Sequence, residues 1–466
     1  RGGWKAGGKS VGRKMQSERT INSLKLRSRG LASGGRGDDA AAATEAAAEA
    51  RGNAPGRFHS PIVDSLWTIR HQLTEDAKRL PPAGPDCDLE PKTPQDSRTS
   101  VSYPFSTDPR LAEAYRNPWG KVRAGKILED LDAMAGNVAM KHNRISAASR
   151  KLLIVTAGVD RIKTMGKVGI DQDIFLEGAV SWTGRSSMEI QMTVHTEGRL
   201  WIRANFTFVA RDPDTGKASR INPLLPQTDE EKDLFDRAQN RQDLKKRKRS
   251  QSAEEAHAQR QKHQTLIDDL LAKAAPLKRL PALCDKNAIL MYKTALSSAL
   301  TCQPVHQNMH GRVFGGFLMR QAFQLAFATG HLFTGGHPNF VEVDQISFLS
   351  PVSIGDLLQL ESCVLYTVQK GEKTPNGVEV KEQPELHVEV VAYVTDPSKA
   401  TSKICNTFNF TFAVDKDKVL RVYPGTQGEA LRVVRIMGLD EEQEHEDFGL
   451  PMEDVSKKSN ARKPGA

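Results

Sequence analysis

Asn117-Pro118-Trp119-Gly120-Lys121-Val122-Arg123-Ala124-Gly125-Lys126-Ile127-Leu128-Glu129-Asp130-Leu131-Asp132 decides the fold, because its skeleton is written twice. Asn117-x-x-Gly120-x-Val122-x-Ala124-Gly125 recurs as Asn308-x-x-Gly311-x-Val313-x-Gly315-Gly316, a constant 191 positions later. Val159-Asp160-Arg161-Ile162 returns as Val343-Asp344-Gln345-Ile346 at an offset of 184, and Asn205-Phe206-Thr207-Phe208 as Asn409-Phe410-Thr411-Phe412 at 204. Three matches in one order, with offsets drifting as loop lengths do, indicate a duplicated domain.

Each copy has the same grammar. A Gly-containing turn opens a helix, with Ile127, Leu128, Leu131, Met134, Ala135 and Val138 at helical spacing in the first copy. Leu318, Met319, Ala322, Leu325 and Ala326 follow suit in the second. Alternating strands rich in β-branched and aromatic residues come next, such as Leu200–Phe208 and His387–Val394. Gly355-Asp356, after Pro351, marks a turn between strands of the second copy. A largely apolar helix followed by antiparallel strands needs the sheet to wrap around it, which makes the class α+β.

Around these copies the composition changes. Residues 1–60 are rich in Gly, Ala, Ser and Arg and cannot bury a core. Met15–Arg36 carries basic residues and only Glu18 as an acid, which suits a mitochondrial presequence and predicts a matrix protein. Gly3-x4-Gly8-Lys9-Ser10 and Gly8-Lys9-Ser10-Val11-Gly12 match a phosphate loop and a nucleophile elbow in letters, but both motifs need a buried strand leading into the turn. Residues 61–99 read as a short helix around Ser65–Lys78 and a Pro-rich connector, 100–225 as the first domain, and 226–284 as an exposed, charged helical linker. The second domain is expected over 285–415, with a C-terminal extension and mobile tail over 416–466.

The net charge of +9 gathers in the leader and in Lys245–Arg249, which reads as a solvated helix face, so no nucleic-acid partner is expected. No apolar run of membrane-spanning length occurs. Five scattered cysteines without C-x-x-C spacing point to a reducing compartment and no structural metal.

Phe314-Gly315-Gly316-Phe317-Leu318-Met319-Arg320 and Gly125–Asp132, with Val180-Ser181-Trp182, resemble the double-hotdog acyl-coenzyme A thioesterases. The resemblance spans about 100–225 and 285–415, and implies tandem hotdog domains forming an intramolecular pseudo-dimer. It further implies hydrolysis of acyl-coenzyme A without metal or other cofactor, by a chain that assembles into a homo-oligomer. The family's pair is an Asn in the turn before the helix and an Asp eight residues after the first small residue of the Gly-Gly step. By position these are Asn117 and Asn308, and Asp132 in copy one; copy two has Phe323 in place of the acid. In the family's geometry turn and helix meet across the domain interface. Asp132 should therefore face Asn308 in one working site, leaving Asn117 with Phe323 in a degenerate one. Asp132 is expected to act as general base on water or as nucleophile, two roles the sequence leaves open. Asn308 would orient the water or the carbonyl, backbone N–H groups at Ala124–Gly125 would form the oxyanion hole, and His310 and Arg312 are candidates for contact with coenzyme A phosphates.

Two other readings stand beside this one. A hotdog hydratase would place a His with a carboxylate on the helix, but His142 lies past the expected position and His331 ends its helix. A catalytically silent binding or scaffold protein would extend the loss of the second acid to the first.

Overall fold

The structure is a computed structural model that describes residues 61–78, 89–143, 152–249, 253–308, 311–344, 346–372, 380 and 383–447. The leader over 1–60 and the tail beyond 447 lie outside the described residues, and so do His310 and Gln345.

The first half runs α1 (Pro61–Lys78), α2 (Pro94–Ser97), β1 (Thr99–Tyr103), α3 (Pro109–Tyr115) and the long helix α4 (Ala124–His142). It continues through β2 (Leu153–Val159), β3 (Ile162–Thr164), β4 (Ile174–Thr183), β5 (Ser187–Thr196) and β6 (Arg199–Arg211). Helices α5 (Asp229–Arg249) and α6 (Ala253–Arg279) connect it to β7 (Ala288–Leu290) and β8 (Leu296–Thr301). The second long helix, α7 (Gly315–Thr334), precedes β9 (Asn339–Val343), β10 (Ile346–Ser347), β11 (Leu357–Val368), β12 (Glu385–Asp396) and β13 (Thr401–Ala413). Strand β14 (Arg421–Tyr423) and helix α8 (Gln427–Asp447) close the described chain.

Among the described residues twelve strands form one continuous sheet, ordered β1-β4-β5-β6-β3-β9-β13-β12-β11-β8, with β2 lying on β6 and β10 on β2. The join is made by the repeated motif itself. Ile162 pairs with Val343, and Ile346 pairs with Val159, so each copy's Val-Asp-x-Ile segment hydrogen-bonds to the other's. The sheet crosses the domain boundary without an edge, which removes the two strand edges most exposed to mispairing. This is the tandem hotdog arrangement expected from the resemblance.

The two long helices lie under this sheet and run antiparallel against each other. Their predicted apolar positions are buried: Ile127, Leu131, Met134 and Val138 are fully excluded from solvent, as are Met319 and Ala322. Helix α7 ends at Gly335, whose φ of +62° is a left-handed cap that a side chain would strain. Close approach is set by small residues. A Cβ on Gly125 would stand 2.9 Å from the Phe323 ring, and one on Gly316 2.9 Å from the Glu129 carbonyl.

The structure differs in three places from what composition alone suggests. First, Glu129 and Asp130 are charged residues, yet both are fully buried. Glu129 accepts from Arg320 at 2.6 Å, and these two positions are themselves repeat equivalents, facing each other where the helices cross. Asp130 accepts from Tyr103 and Tyr115 hydroxyls. Second, the charged connector is docked: Arg241 of α5 pairs with the buried Glu189, and Gln239 accepts from the Trp182 indole at 2.8 Å. Ile267 of α6 is buried as well. Third, the C-terminal extension is built into the fold through α8, whose Val433 and Val434 are buried and whose Arg432 pairs with Glu389. No helix of the described residues is long and apolar enough to cross a membrane.

Removing one partner of a buried ion pair leaves an uncompensated charge and typically costs about 3–5 kcal/mol. Arg320→Met should therefore lower the unfolding free energy measured in urea by an amount of that order, with a lower midpoint, and Glu129→Met combined with Arg320→Met should recover most of the loss. Equal midpoints for wild type and Arg320→Met would show that the pair does not hold the helices together.

Candidate active site

Each copy builds the same turn before its long helix. The Asn117 N–H donates to the Lys121 carbonyl at 2.8 Å and the Asn308 N–H to the Arg312 carbonyl at 2.6 Å; Gly120 and Gly311 N–H groups return to the two Asn carbonyls at 3.2 Å. The glycines have φ of +73° and +75°, a backbone that disfavours any side chain. The side-chain Oδ1 of Asn117 accepts the Lys121 N–H at 2.8 Å, and that of Asn308 the Arg312 N–H at 3.1 Å. The turn thus consumes the carbonyl end of each Asn, and dealings with a substrate fall to the Nδ2 end. Arg312 itself donates to Ser353 Oγ at 2.9 Å.

Asp132 lies on the buried face of α4, 3% exposed. Its Oδ2 accepts the backbone N–H of Gly316 at 2.7 Å, and its Oδ1 accepts the Thr156 hydroxyl at 3.1 Å. A carboxylate from the first domain therefore sits on the N-terminus of the second domain's helix, where the unsatisfied N–H groups and the helix dipole favour negative charge. Burial nevertheless dominates and raises its pKa to about 6; the Thr156 and Gly316 hydrogen bonds and the Arg70 charge oppose the rise, and Glu129 adds to it. A carboxyl tuned to that range is suited to exchange a proton near neutral pH.

Helix α1 roofs this site. Arg70 donates through Nε to Asn137 Oδ1 at 2.7 Å and also reaches the Ala133 carbonyl, while Asn137 Nδ2 donates to the Leu66 carbonyl at 2.8 Å. The Trp67 ring meets Phe314 edge-on with centroids 5.2 Å apart. Burial brings the Arg70 guanidinium down to about 10, and the Asp132 charge opposes that fall.

The repeat-equivalent site is different. Phe323 stands where Asp132 does, and Phe340, at the 184 offset, stands where Thr156 does. Both polar groups around the acid are replaced by rings, which pack edge-on at 5.2 Å. Beside them a cavity of about 320 Å³ opens between the Asn117 turn, the start of α4 and the exposed side of α7.

Of the residues singled out from sequence, Asp132 accepts from the start of the second copy's helix and Phe323 lies against the start of the first copy's. Ala124 and Gly125, expected at the working site, lie instead at the Phe323 side; Gly125 touches Phe323 and Arg320, and the backbone N–H on Asp132 belongs to Gly316. An antiparallel helix pair makes this unavoidable, because an acid two turns into one helix meets the beginning of the other. His142 and His331 are tied to the carbonyls of Asn222 and Gly336 at their helix ends. Thr156 and Arg70 were missed. The repeat carried a signal for Thr156, since its partner position is an aromatic just as that of Asp132 is.

No family model matches the chain. It is 41% identical over 401 residues to acyl-coenzyme A thioesterase 2, chloroplastic, of Humulus lupulus, covering 82% of this chain and 89% of that protein. The chain belongs to the acyl-coenzyme A thioesterases. To acyl-coenzyme A thioesterase 4, mitochondrial, of the same plant, the thioesterase is 43% identical over 411 residues, covering 84% and 76%. With mitochondrial acyl-coenzyme A thioesterase 9 of Homo sapiens it shares 35% over 355 residues, covering 74% and 76%. Among solved structures, it is similar to an acyl-CoA hydrolase of Staphylococcus aureus in complex with butyryl coenzyme A at 20% identity and TM-score 0.30, covering 37% of this chain and 96% of that one. A 12:0-ACP thioesterase of Umbellularia californica gives 10% identity and TM-score 0.41, covering 68% and 95%. The thioesterase hydrolyses acyl-coenzyme A thioesters.

The Arg70 charge holds the Asp132 pKa down against burial. Arg70→Gln should therefore shift the acid limb of kcat/KM to higher pH; a limb that stays in place would separate Arg70 from the titrating group.

Proposed function

We propose that one composite site, formed by Asp132 of the first domain and the 308–316 segment of the second, carries the hydrolysis of acyl-coenzyme A. The observation that supports this most strongly is the hydrogen bond from Gly316 N–H to Asp132 Oδ2, which puts an acid of raised pKa at a helix N-terminus. In this reading the ionised carboxylate, held by Thr156, removes a proton from water as the water attacks the thioester carbonyl. The C–S bond then breaks, the thiolate takes the proton, and a carboxylic acid and coenzyme A leave. The carbonyl oxygen displaces Asp132 from the Gly316 N–H, so the oxyanion role moves from Ala124–Gly125 to its repeat equivalent at Gly315–Gly316. Asn308 orients carbonyl or water from the neighbouring turn; Arg312 and, outside the described residues, His310 are the proposed contacts for the coenzyme A phosphates. The hydratase alternative lacks a histidine beside Asp132 among the described residues.

Mitochondrial import, to the matrix, belongs to this reading and rests on the basic, acid-poor stretch over 15–36 and on relatives named mitochondrial; a relative named chloroplastic matches equally well. So does assembly into a homo-oligomer, for which exposed Phe175, Ile404 and Leu349 offer apolar contact.

Loss of a general base typically costs 10²–10⁴-fold. Asp132→Asn should reduce thiol release from acyl-coenzyme A by about that factor with the fold retained, whereas Phe323→Leu, at the other site, should stay within about threefold because it removes no catalytic group. Full turnover by Asp132→Asn would reject the site.

A further inference from the structure

Duplication left two helix crossings, and the structure treats them differently. At the Asp132 crossing, Ala133 is fully buried under the Arg70 guanidinium, and a Cβ on Gly136 would collide with that same side chain. Their repeat equivalents are Gln324 and Phe327. These face the cavity of about 320 Å³, and Gln324 is exposed. The acid-bearing site is roofed, and the acid-less one is open.

The open cavity is also chemically selective. Four of its lining residues are cations, Lys121, Arg123, Lys126 and Lys167, and none is an acid. They crowd one another: burial and then Lys167 lower the Lys121 pKa, and burial followed by Arg123 lowers that of Lys126. An anion with several charges would relieve that repulsion. The inner wall is Phe323, Phe327, Phe340 and Trp201, with Trp119 at the lip, 38% exposed. A slot with an aromatic floor and a basic rim matches a ligand with an apolar arm and phosphates at the other end.

What the duplicate has lost is equally specific. The Asn117 turn keeps each hydrogen bond found among the described residues of its Asn308 counterpart, and the Ala124–Gly125 helix start is retained. Only the two groups that would work on a carbonyl, the equivalents of Asp132 and Thr156, have become phenylalanines. The change removes chemistry and leaves the receptacle.

We propose that this second cavity binds coenzyme A thioesters and does not hydrolyse them. The apolar arm lies against Phe323 and Phe340, and the phosphates meet the rim at Lys121, Arg123 and Lys167. The proposal rests on the reading that hydrolysis belongs to Asp132, and its test is independent of turnover.

A thioether analogue of a short-chain acyl-coenzyme A, which has no cleavable thioester, is titrated into the full chain by calorimetry. The number bound per chain should fall by one in Lys121→Glu/Lys167→Glu and also in Phe327→Trp, which fills the slot. An unchanged number in both variants, with native circular dichroism, overturns the proposal. Should either variant misfold, Trp119 fluorescence in the unaltered background decides. A saturable change that Trp119→Phe abolishes supports the site, and no change contradicts it. Thiol release by Asp132→Asn is measured separately, so a failed hydrolysis assignment shows as retained turnover and a failed binding site as an unmoved count.

Discussion

The structure depends on how closely two antiparallel helices approach each other beneath a shared sheet. Gly125 and Gly316 let the backbones in, and the Glu129–Arg320 pair fixes where they cross. From that crossing the rest follows. An acid seven residues beyond Gly125 reaches the first turn of the opposite helix, and the same geometry sets Phe323 on Gly125. The strand join keeps the register, since Ile162–Val343 and Ile346–Val159 pair on either side of the pseudo-twofold axis. Both the Asp132–Gly316 and the Phe323–Gly125 contacts need the two domains together.

Three acids within one turn of α4 are buried, and each is handled differently. Glu129 has an arginine and Asp130 two phenols; Asp132 has a hydroxyl, one backbone N–H and a guanidinium at a distance. Burial disfavours the ionised form of Asp132. Its folded value of about 6 lies above the ordinary 3.8, so its contribution to stability is lost as pH rises between those limits and the ionised form is a net cost above them. Strain of this kind is concentrated where chemistry is done. The roof provided by α1 deepens the burial and at the same time supplies the Arg70 charge that limits its effect.

The duplication and the α+β class were legible because they rest on residue spacing, which a constant offset of 191 transfers from one copy to the other. Periodicity could not tell that Glu129 and Asp130 are buried. Their partners Arg320, Tyr103 and Tyr115 come from other elements, and a helix's own spacing does not reveal what packs on it. Charged composition likewise made α5 and α6 look like solvated spacers, while Ala238 and Ile267 carry the buried stripe that docks them. Arg70 lay in a segment read only as a short helix before the first domain, with no pattern linking it to a site sixty residues on. The backbone N–H that meets Asp132 belongs to Gly316 on the opposite helix and not to Ala124 or Gly125, and spacing within one helix does not show which helix start its side chains reach.

The central claim is that an acid of the first domain titrates inside an interface made with the second. Carboxyl ¹³C NMR of the full chain, with Asp132 assigned by comparison with Asp132→Asn, measures this directly. The account predicts a midpoint near pH 6, well above the ordinary 3.8 of an aspartate. A midpoint at the ordinary value would mean a solvated carboxylate, and the interface site described above would not exist.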